Sequence, residues 1–565
     1  MSEKDERNIA PRRNFLKGSI VAGIAGVASM TSVESVFAEN QPAVCAAADD
    51  FLKAPDPIPD SKISKTVTTD VVIIGAGIAG LSAARAALEG GAKVAVIEKA
   101  TDIVYRSSDV GTINSSIAKK LGNNLDTAEL VTYMQDTYGW RTNGDLWRFW
   151  AENSGASLDW LLEASPSYKL IDELTAVDEK TEDVYVRMPH WPHPKGYDPS
   201  KEHFKIYSTV IQFLPDLGPA LRNVEKQCVK MGADFQFSTA ACQLIRPDNK
   251  GRVQGVIAQG ADGKYIKFLA SKGVVLCTGD YSGDKKMLTN YCPQIADLYT
   301  SIYFNRDAKG VVCNTGEGHR MGMWVGGQME RGPHAPVTHS IGGPLGINAF
   351  LLVNARGARF MNEDSDGQSW TNAIEREPQT SAFQVFDSRW KEQLAAQSVN
   401  HGNINAVLPD DQPPGGGPFT WSSYTTEKRM MSRGTKKSDT LEGLAHELGL
   451  PTEKFVATVK RYNELARAGK DIDYFKRADR LFAIDKAPFF GGRTGQALLV
   501  VMGGLVVDNN CAVQDAKLNP IPGLWASGNA MGGRFACAYA MGAAGVSHGS
   551  ALTFGRLAGQ VAAKG

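Results

Sequence analysis

The sequence predicts an α/β fold of two parts. A parallel sheet covered by helices draws on both ends of the chain, and a second domain of α+β texture is inserted between them. Three observations predict this. A β-branched run, Asp70 to Ile74, leads into three closely spaced glycines and an alanine-rich helical stretch. A second buried apolar run, Gly273 to Cys277, ends in Thr278-Gly279. From 328 to about 497 the chain is richer in proline and polar loops, and beyond 498 the glycine-rich apolar runs return.

The first stretch, TDVVIIGAGIAGLSAARAALEGGAKVAVIEK from Thr69 to Lys99, organises the rest. Its β-branched run has the texture of a strand buried on both faces. Gly75, Gly77 and Gly80 form G-x-G-x-x-G. The first permits the tight turn, the second lets backbone approach a pyrophosphate, and the third lets helix and strand pack closely. Ile78 and Ala79 open the helix, whose unpaired N–H groups suit a phosphate. Val94 to Ile97 is the second strand. Glu98 ends it, 23 residues after Gly75, where an acid accepts from a ribose hydroxyl. In this context the glycines predict a dinucleotide site; the alternative is a glycine-rich turn of a sheet without a cofactor.

At 565 residues the chain exceeds one ordinary core, so two or three domains are expected. Lys+Arg and Asp+Glu both number 61, which offers no case for a nucleic acid or an anionic membrane surface as partner. Arg12-Arg13-Asn14-Phe15-Leu16-Lys17 is a twin-arginine pattern ahead of a modest apolar run, Gly18 to Met30. That run is short and Gly/Ala-rich for a bilayer span, so after cleavage nothing here is expected to cross a membrane. Val36-Phe37-Ala38 offers small residues at the cleavage positions and places the first mature residue at Glu39. The pattern resembles a Tat signal, which implies export of a folded, cofactor-loaded protein to the periplasm or the outer face of the cytoplasmic membrane. An uncleaved anchor or a chance pair of arginines is the alternative.

Eight cysteines are scattered with no C-x-x-C and no haem motif. They read mostly as buried small hydrophobes, with no disulfide framework needed in a chain that folds before export; an iron–sulfur cluster assembled from distant cysteines is the alternative. No metal site is expected. The histidines of the 180–210 loop (His190, His193, His203) match no standard metal spacing and read as solvated loop.

Further along, Tyr105 to Ala118 is a small-residue loop suited to backbone approach to a cofactor. Residues 125–165 read as helical, with aromatic spacing that belongs mostly to a core. Leu214 to Met231 reads as a helix. Val253–Ala258 and Tyr265–Phe268 read as strands paired across Asp262-Gly263, followed by a separate strand from Lys272. A helix is entered through Asn314-Thr315-Gly316-Glu317-Gly318, and Thr440 to Ala468 is one amphipathic helical region.

These segments in this order resemble the flavoprotein superfamily of soluble fumarate reductases and 3-ketosteroid dehydrogenases. GAGIAG with Glu98 is similar to its FAD adenosine site, and VVLCTGDYSGD to its second flavin strand. NTGEGHRMG is similar to its T-G-D/E-G helix, and VNARGARFMNED to the hairpin of its capping domain. VMGGLVVD and IPGLWASGN are similar to the segments that close over the isoalloxazine. The resemblance spans Thr69 to Ala563. It implies a split Rossmann-like FAD-binding domain with an inserted α+β capping domain. The expected divisions are 1–38 signal, 39–66 linker, 67–327 and 498–565 FAD-binding, and 328–497 capping. FAD would lie against Gly75, Gly77, Ile78, Ala79, Gly80, Glu98, Lys99, Ser107, Ser108, Gly111, Thr278, Gly279, Gly528, Asn529 and Ser547. Some relatives attach FAD through a histidine; Ser108 stands nearest that place, which implies non-covalent FAD.

The departures narrow the substrate. Gly367 stands where fumarate reductases carry an arginine proton donor after N-E. Leu499 and Val500 precede Val501-Met502-Gly503-Gly504 where they carry a histidine. Tyr539 is the nearest counterpart of another arginine, and His334 is a loose match to their remaining histidine. A desolvated dianion needs such groups, so fumarate and succinate are not expected substrates. Gly528-Asn529 and Tyr539 resemble the ketosteroid enzymes, in which a tyrosine over the flavin binds the substrate carbonyl. Tyr539 and His334 are therefore the candidate catalytic residues. Tyr539 also reads as a core aromatic, and His548 as a helix N-terminal histidine touching FAD phosphate or backbone.

Two function classes remain. One is a FAD enzyme moving hydride between flavin N5 and an activated C=C bond of an enoate or enone, with a ketone or ketosteroid-type dehydrogenase as the reverse reading. The other is a flavin electron-transfer module. A lid over the flavin favours the enzyme. Without a haem motif or a second flavin domain, electrons are expected from a separate donor, a membrane-linked cytochrome.

Overall fold

The structure is a computed structural model. It describes residues 50–171, 177–178, 180–188, 205–301, 312–338, 343–395, 397, 427–432 and 434–565. The twin-arginine segment, the cleavage site and the three loop histidines lie outside the described residues.

The glycine turn does what its spacing predicts. Strand Ile63–Ile74 leads through it into helix Ile78–Glu89 and back to strand Val94–Ile97. These strands pair in parallel, Val71 opposite Val94 and Ile74 opposite Ile97. On the other side Ile63–Ile74 pairs in parallel with Tyr265–Leu276, which pairs with Pro520–Ala526. Asp234–Gln236 closes the far edge beside Val94–Ile97. Val72, Ile73, Val274, Val275 and Leu524 have no exposed surface, as befits a sheet covered on both faces. The C-terminal helix Val546–Ala562 lies against the fingerprint helix through small residues. A Cβ on Gly555 would stand 2.5 Å from the Ala79 carbonyl oxygen, and one on Gly559 2.2 Å from that of Ala83. Any side chain there pushes the helices apart.

The segment between the two parts of this sheet builds its own. Leu351–Asn354, Ser381–Phe386, Phe489–Gly495 and Lys436–Ser438 form an antiparallel sheet. Its buried residues, among them Leu351, Val385, Phe455 and Tyr462, form apolar clusters separate from that of the main sheet. The chain enters along Ala335–Val337 and returns along Val500–Met502, and these two strands pair antiparallel. A smaller sheet of Asp109–Gly111, Val210–Leu214, Tyr185–Arg187 and Lys169–Leu170 flanks the start of the C-terminal helix.

Several expectations change. The strand before the glycines starts at Ile63, so the stretch 39–66 ends in sheet rather than linker. The strands expected at 265–268 and from 272 are one, Tyr265–Leu276. Gly273 keeps it continuous at φ 138, with Gly523 packed so close that a Cβ would lie 2.3 Å from its carbonyl oxygen. The 125–165 region is two helices, Thr127–Thr137 and Gly144–Leu162, parted by left-handed Gly139 and Trp140. The helix expected from Leu214 starts at Gly218, because Val210–Leu214 is strand. Thr440 to Ala468 is two helices, Leu441–Leu448 and Thr452–Ala468, divided by left-handed Gly449 and by Pro451. Cys242 is disulfide-bonded, although no disulfide framework is expected from the sequence.

Candidate active site

The parallel strands end together, and the site lies at their carboxyl ends, as open α/β sheets dictate. The Gly75 N–H donates to Ile97 O (2.8 Å), Cys277 N–H to Ile74 O (2.8 Å) and Ser527 N–H to Leu276 O (2.9 Å). Gly75 is left-handed at φ 106, and a Cβ there would meet Cys277 O at 2.4 Å. A Cβ on Gly80 would stand 1.8 Å from Gly75 O, whereas one on Gly77 meets nothing nearer than 3.6 Å. The first and third glycines are thus required by the protein, and the second faces open space. The first helical bond runs from Leu81 N–H to Gly77 O, so the N–H groups of Ile78, Ala79 and Gly80 precede it.

Glu98 is buried and accepts from Ala76 N–H (2.7 Å) and Ala100 N–H (2.8 Å). Burial raises its pKa, and each oxygen keeps a lone pair for a hydroxyl donor. The Thr278 and Ser527 hydroxyls, buried at the same edge, have no partner. A glycine cradle, a buried acid and two orphaned hydroxyls fit a dinucleotide's phosphates and sugar. Gly279 is left-handed beside Asn314, and a Cβ on Gly528 would lie 3.0 Å from the Ala79 Cβ.

Lys99 turns to the helix Glu317–Trp324. It pairs with Glu317 (2.8 Å) and donates to Cys313 O. Burial opposes the Glu317 charge, but Lys99 beside it holds the carboxyl down at about 2. Lys99 therefore braces the wall of the cradle. Ser107 is left-handed and offers its carbonyl to Leu217 N–H. Ser108 is buried, with Oγ donating to Asp109 (2.9 Å). Gly111 packs against the turn before the C-terminal helix: its N–H donates to Gly545 O (2.8 Å), and a Cβ would meet Ala544 O at 2.5 Å.

Tyr539, Ser547 and Asn529 converge. The Tyr539 oxygen accepts from Ser547 N–H (3.4 Å), and Ser547 Oγ donates to Asn529 Oδ1 (3.4 Å). Burial raises the Tyr539 pKa to about 12, so the hydroxyl keeps its proton. No described group accepts that proton. The ring stacks on Phe535, centroids 5.6 Å apart, so the core-packing reading describes the ring. His548 donates from Nδ1 to Asp109 O (2.9 Å), which is the backbone contact its position suggested.

His334 makes no hydrogen bond to this group among the described residues and packs against Gly503. It has no exposed surface; Nε2–H donates to Glu330 O (3.0 Å), and Nδ1 accepts from Tyr281 O–H (2.5 Å). Both nitrogens are occupied inside the fold. Sequence reasoning passed over its neighbours. His319, inside the quoted NTGEGHRMG, donates from Nε2 to Gly503 O and Asn529 O (both 3.2 Å). Glu330 accepts from Gly504 N–H and Gly533 N–H (both 2.8 Å). Burial brings His319 and His548 down to about 4 and lowers His334. Rings with pKa values far below 6.5 are neutral at neutral pH. Nitrogen NMR of the histidine-labelled protein should show His319 and His548 uncharged from about pH 7 to about pH 5; protonation near pH 6 in either would mean that its ring is hydrated.

A family model described as the FAD binding domain matches residues 70–546. A vinyl phenol reductase of Lactiplantibacillus plantarum is 24% identical, over 89% of this chain and 98% of its own. A fumarate reductase (cytochrome) of Shewanella frigidimarina is 26% identical, over 88% of this chain and 77% of its own. The structure of 3-ketosteroid-Δ4-(5α)-dehydrogenase from Rhodococcus jostii with 4-androstene-3,17-dione superimposes with a TM-score of 0.64. It covers 90% of this chain and 100% of that one at 22% identity, a likeness of fold.

Proposed function

The chain belongs to the FAD binding domain family, and from that premise we propose that it is an exported reductase of activated C=C bonds in enoates or enones other than fumarate. It is an FAD-dependent oxidoreductase of the class acting on C=C and CH–CH groups. Bound FAD supplies the hydride; the chain's own residues hold the carbonyl and exclude water, with 328–497 as the cap of a split FAD-binding domain. One observation carries the reading: the buried Tyr539 hydroxyl, held by Ser547 and with its proton uncommitted. Such a donor polarises a carbonyl and so favours attack at the β-carbon. His334, with both nitrogens bonded, positions the Gly503 backbone rather than meeting substrate: a Cβ on Gly503 would fall 2.1 Å from its Nδ1.

The cap's charges support a substrate other than a dianion. Gly367 opens a helix capped by the Asp366 side chain. Around it Arg359 pairs with Glu363 and Asp471, Lys476 with Glu363 and Arg477 with Asp364. These cations are matched by carboxylates within the cap, which suits a neutral or singly charged, bulky substrate. The reverse reaction, dehydrogenation of a ketone, uses the same Tyr539 and Asn529; the donor's potential selects the direction.

The twin arginines support export, and the disulfide at Cys242 suits an oxidising compartment. None of the described helices is long and apolar enough to cross a membrane. With no haem motif in the chain, a membrane-linked cytochrome as separate donor completes the reading. The test is anaerobic. Photoreduced protein is expected to be reoxidised rapidly by a bulky enone or enoate and at a small fraction of that rate by fumarate, and NADH should fail to reduce it. Reoxidation by none of a panel of enoates, enones and steroids would leave an electron carrier, and fumarate matching the best acceptor would overturn the substrate argument.

Attachment is non-covalent in this reading, because Ser108 stands where relatives use histidine. Acid precipitation is expected to release the yellow colour to the supernatant; colour in the pellet would show a covalent bond. Glu98→Ala should weaken FAD binding by about 1–3 kcal/mol, the scale of hydrogen bonds to a charged group, as read by flavin titration of the apoprotein.

A further inference from the structure

Arg534 is a buried charged group beside the cradle with no role in the proposed reaction. It is 1% exposed. Nη1 donates to Ser550 Oγ (2.5 Å), and Nη2 donates to Gly528 O (2.5 Å) and Met531 O (2.9 Å). All three acceptors are uncharged. The carboxylate that acts on it through space is Glu330, whose two oxygens are already engaged by Gly504 and Gly533. The guanidinium lies 5.0 Å over the Phe535 ring, which stacks in turn on Tyr539, and the Arg534 carbonyl accepts from the Trp147 indole N–H (2.8 Å). The side chain is thus held through both Nη atoms, while its buried Nε has no hydrogen-bond partner among the described residues. Its bonds end on the Gly528–Asn529 turn and on the first turns of the helix Val546–Ala562, two pieces of the cofactor cradle.

A buried cation without a direct counter-ion is costly, and burial pulls the Arg534 pKa down to about 10, so it is still charged at neutral pH. In a low-dielectric site that charge acts on whatever negative charge develops nearby.

We propose that Arg534 is an electrostatic positioning residue that raises the reduction potential of the bound flavin and biases the site towards taking up electrons. This rests on FAD occupying the cradle, but not on which acceptor is reduced.

Redox titration of the holoenzyme against a reference dye, without substrate, tests it. Arg534→Met keeps length and apolar packing but removes the charge. At a fixed potential its ratio of reduced to oxidised flavin should fall about tenfold, or about 30 mV for a two-electron couple. Arg534→Lys should stay near wild type. Glu330→Gln removes the opposing charge and should shift the ratio the other way. A wild-type potential in Arg534→Met overturns the proposal. If that variant does not retain flavin, an unshifted or lowered potential in Glu330→Gln overturns it instead. A merely structural role would lower flavin content and Tm without this ordering by charge. Failure of every unsaturated acceptor to reoxidise the wild-type flavin would defeat the functional reading and leave the ordering of potentials untouched.

Discussion

Purified Gly80→Ala protein is expected to be nearly colourless, with flavin loading below about a tenth of wild type. The reason is within the protein. The new Cβ would stand 1.8 Å from the Gly75 carbonyl oxygen, so helix Ile78–Glu89 must move off the turn that presents the phosphate-facing N–H groups. Overpacking of this kind costs about 1–3 kcal/mol and displaces backbone. Gly77→Ala is the control. Its Cβ meets nothing in the protein nearer than 3.6 Å, so the apoprotein should keep wild-type Tm, and any lost flavin reports the approach of the cofactor itself. Wild-type loading in Gly80→Ala would show that the turn has slack, and wild-type loading in Gly77→Ala would place the pyrophosphate elsewhere.

Tyr539→Phe should cost on the order of 10²-fold in kcat with flavin content unchanged. The substitution keeps the ring stacked on Phe535 and deletes one O–H, comparable to removing a single oxyanion-hole donor. The lost contact to Ser547 N–H is a long one, 3.4 Å, and should barely affect stability. Turnover at the wild-type rate on the true substrate would return Tyr539 to packing and move the search for a proton or hydrogen-bond donor into the cap.

The cradle was legible because its signals are short in range. G-x-G-x-x-G, the β-branched run before it and the acid at the end of the next strand all fall within Thr69 to Lys99. Each reflects a local need: a left-handed turn, a close helix, a buried strand. The same locality explains the errors of detail. Apolar periodicity persists across Gly139, Gly449 and Gly273, so it could not say that the first two break a helix while the third leaves a strand whole. That depends on the neighbour, and at Gly273 the neighbour is Gly523, 250 residues away. The candidate site is legible only to the extent that it is a motif. Gly528-Asn529 and Tyr539 became candidates by their order in the chain. The partners that orient them could not be read that way. Lys99 finds Glu317, His319 spans Gly503 and Asn529, and Glu330 joins Gly504 to Gly533 across 170 to 220 residues. Burial decides those pairings, because a polar atom shut away from water must find whatever partner the packing brings, and packing is a property of the assembled sheet and helices rather than of any stretch of chain.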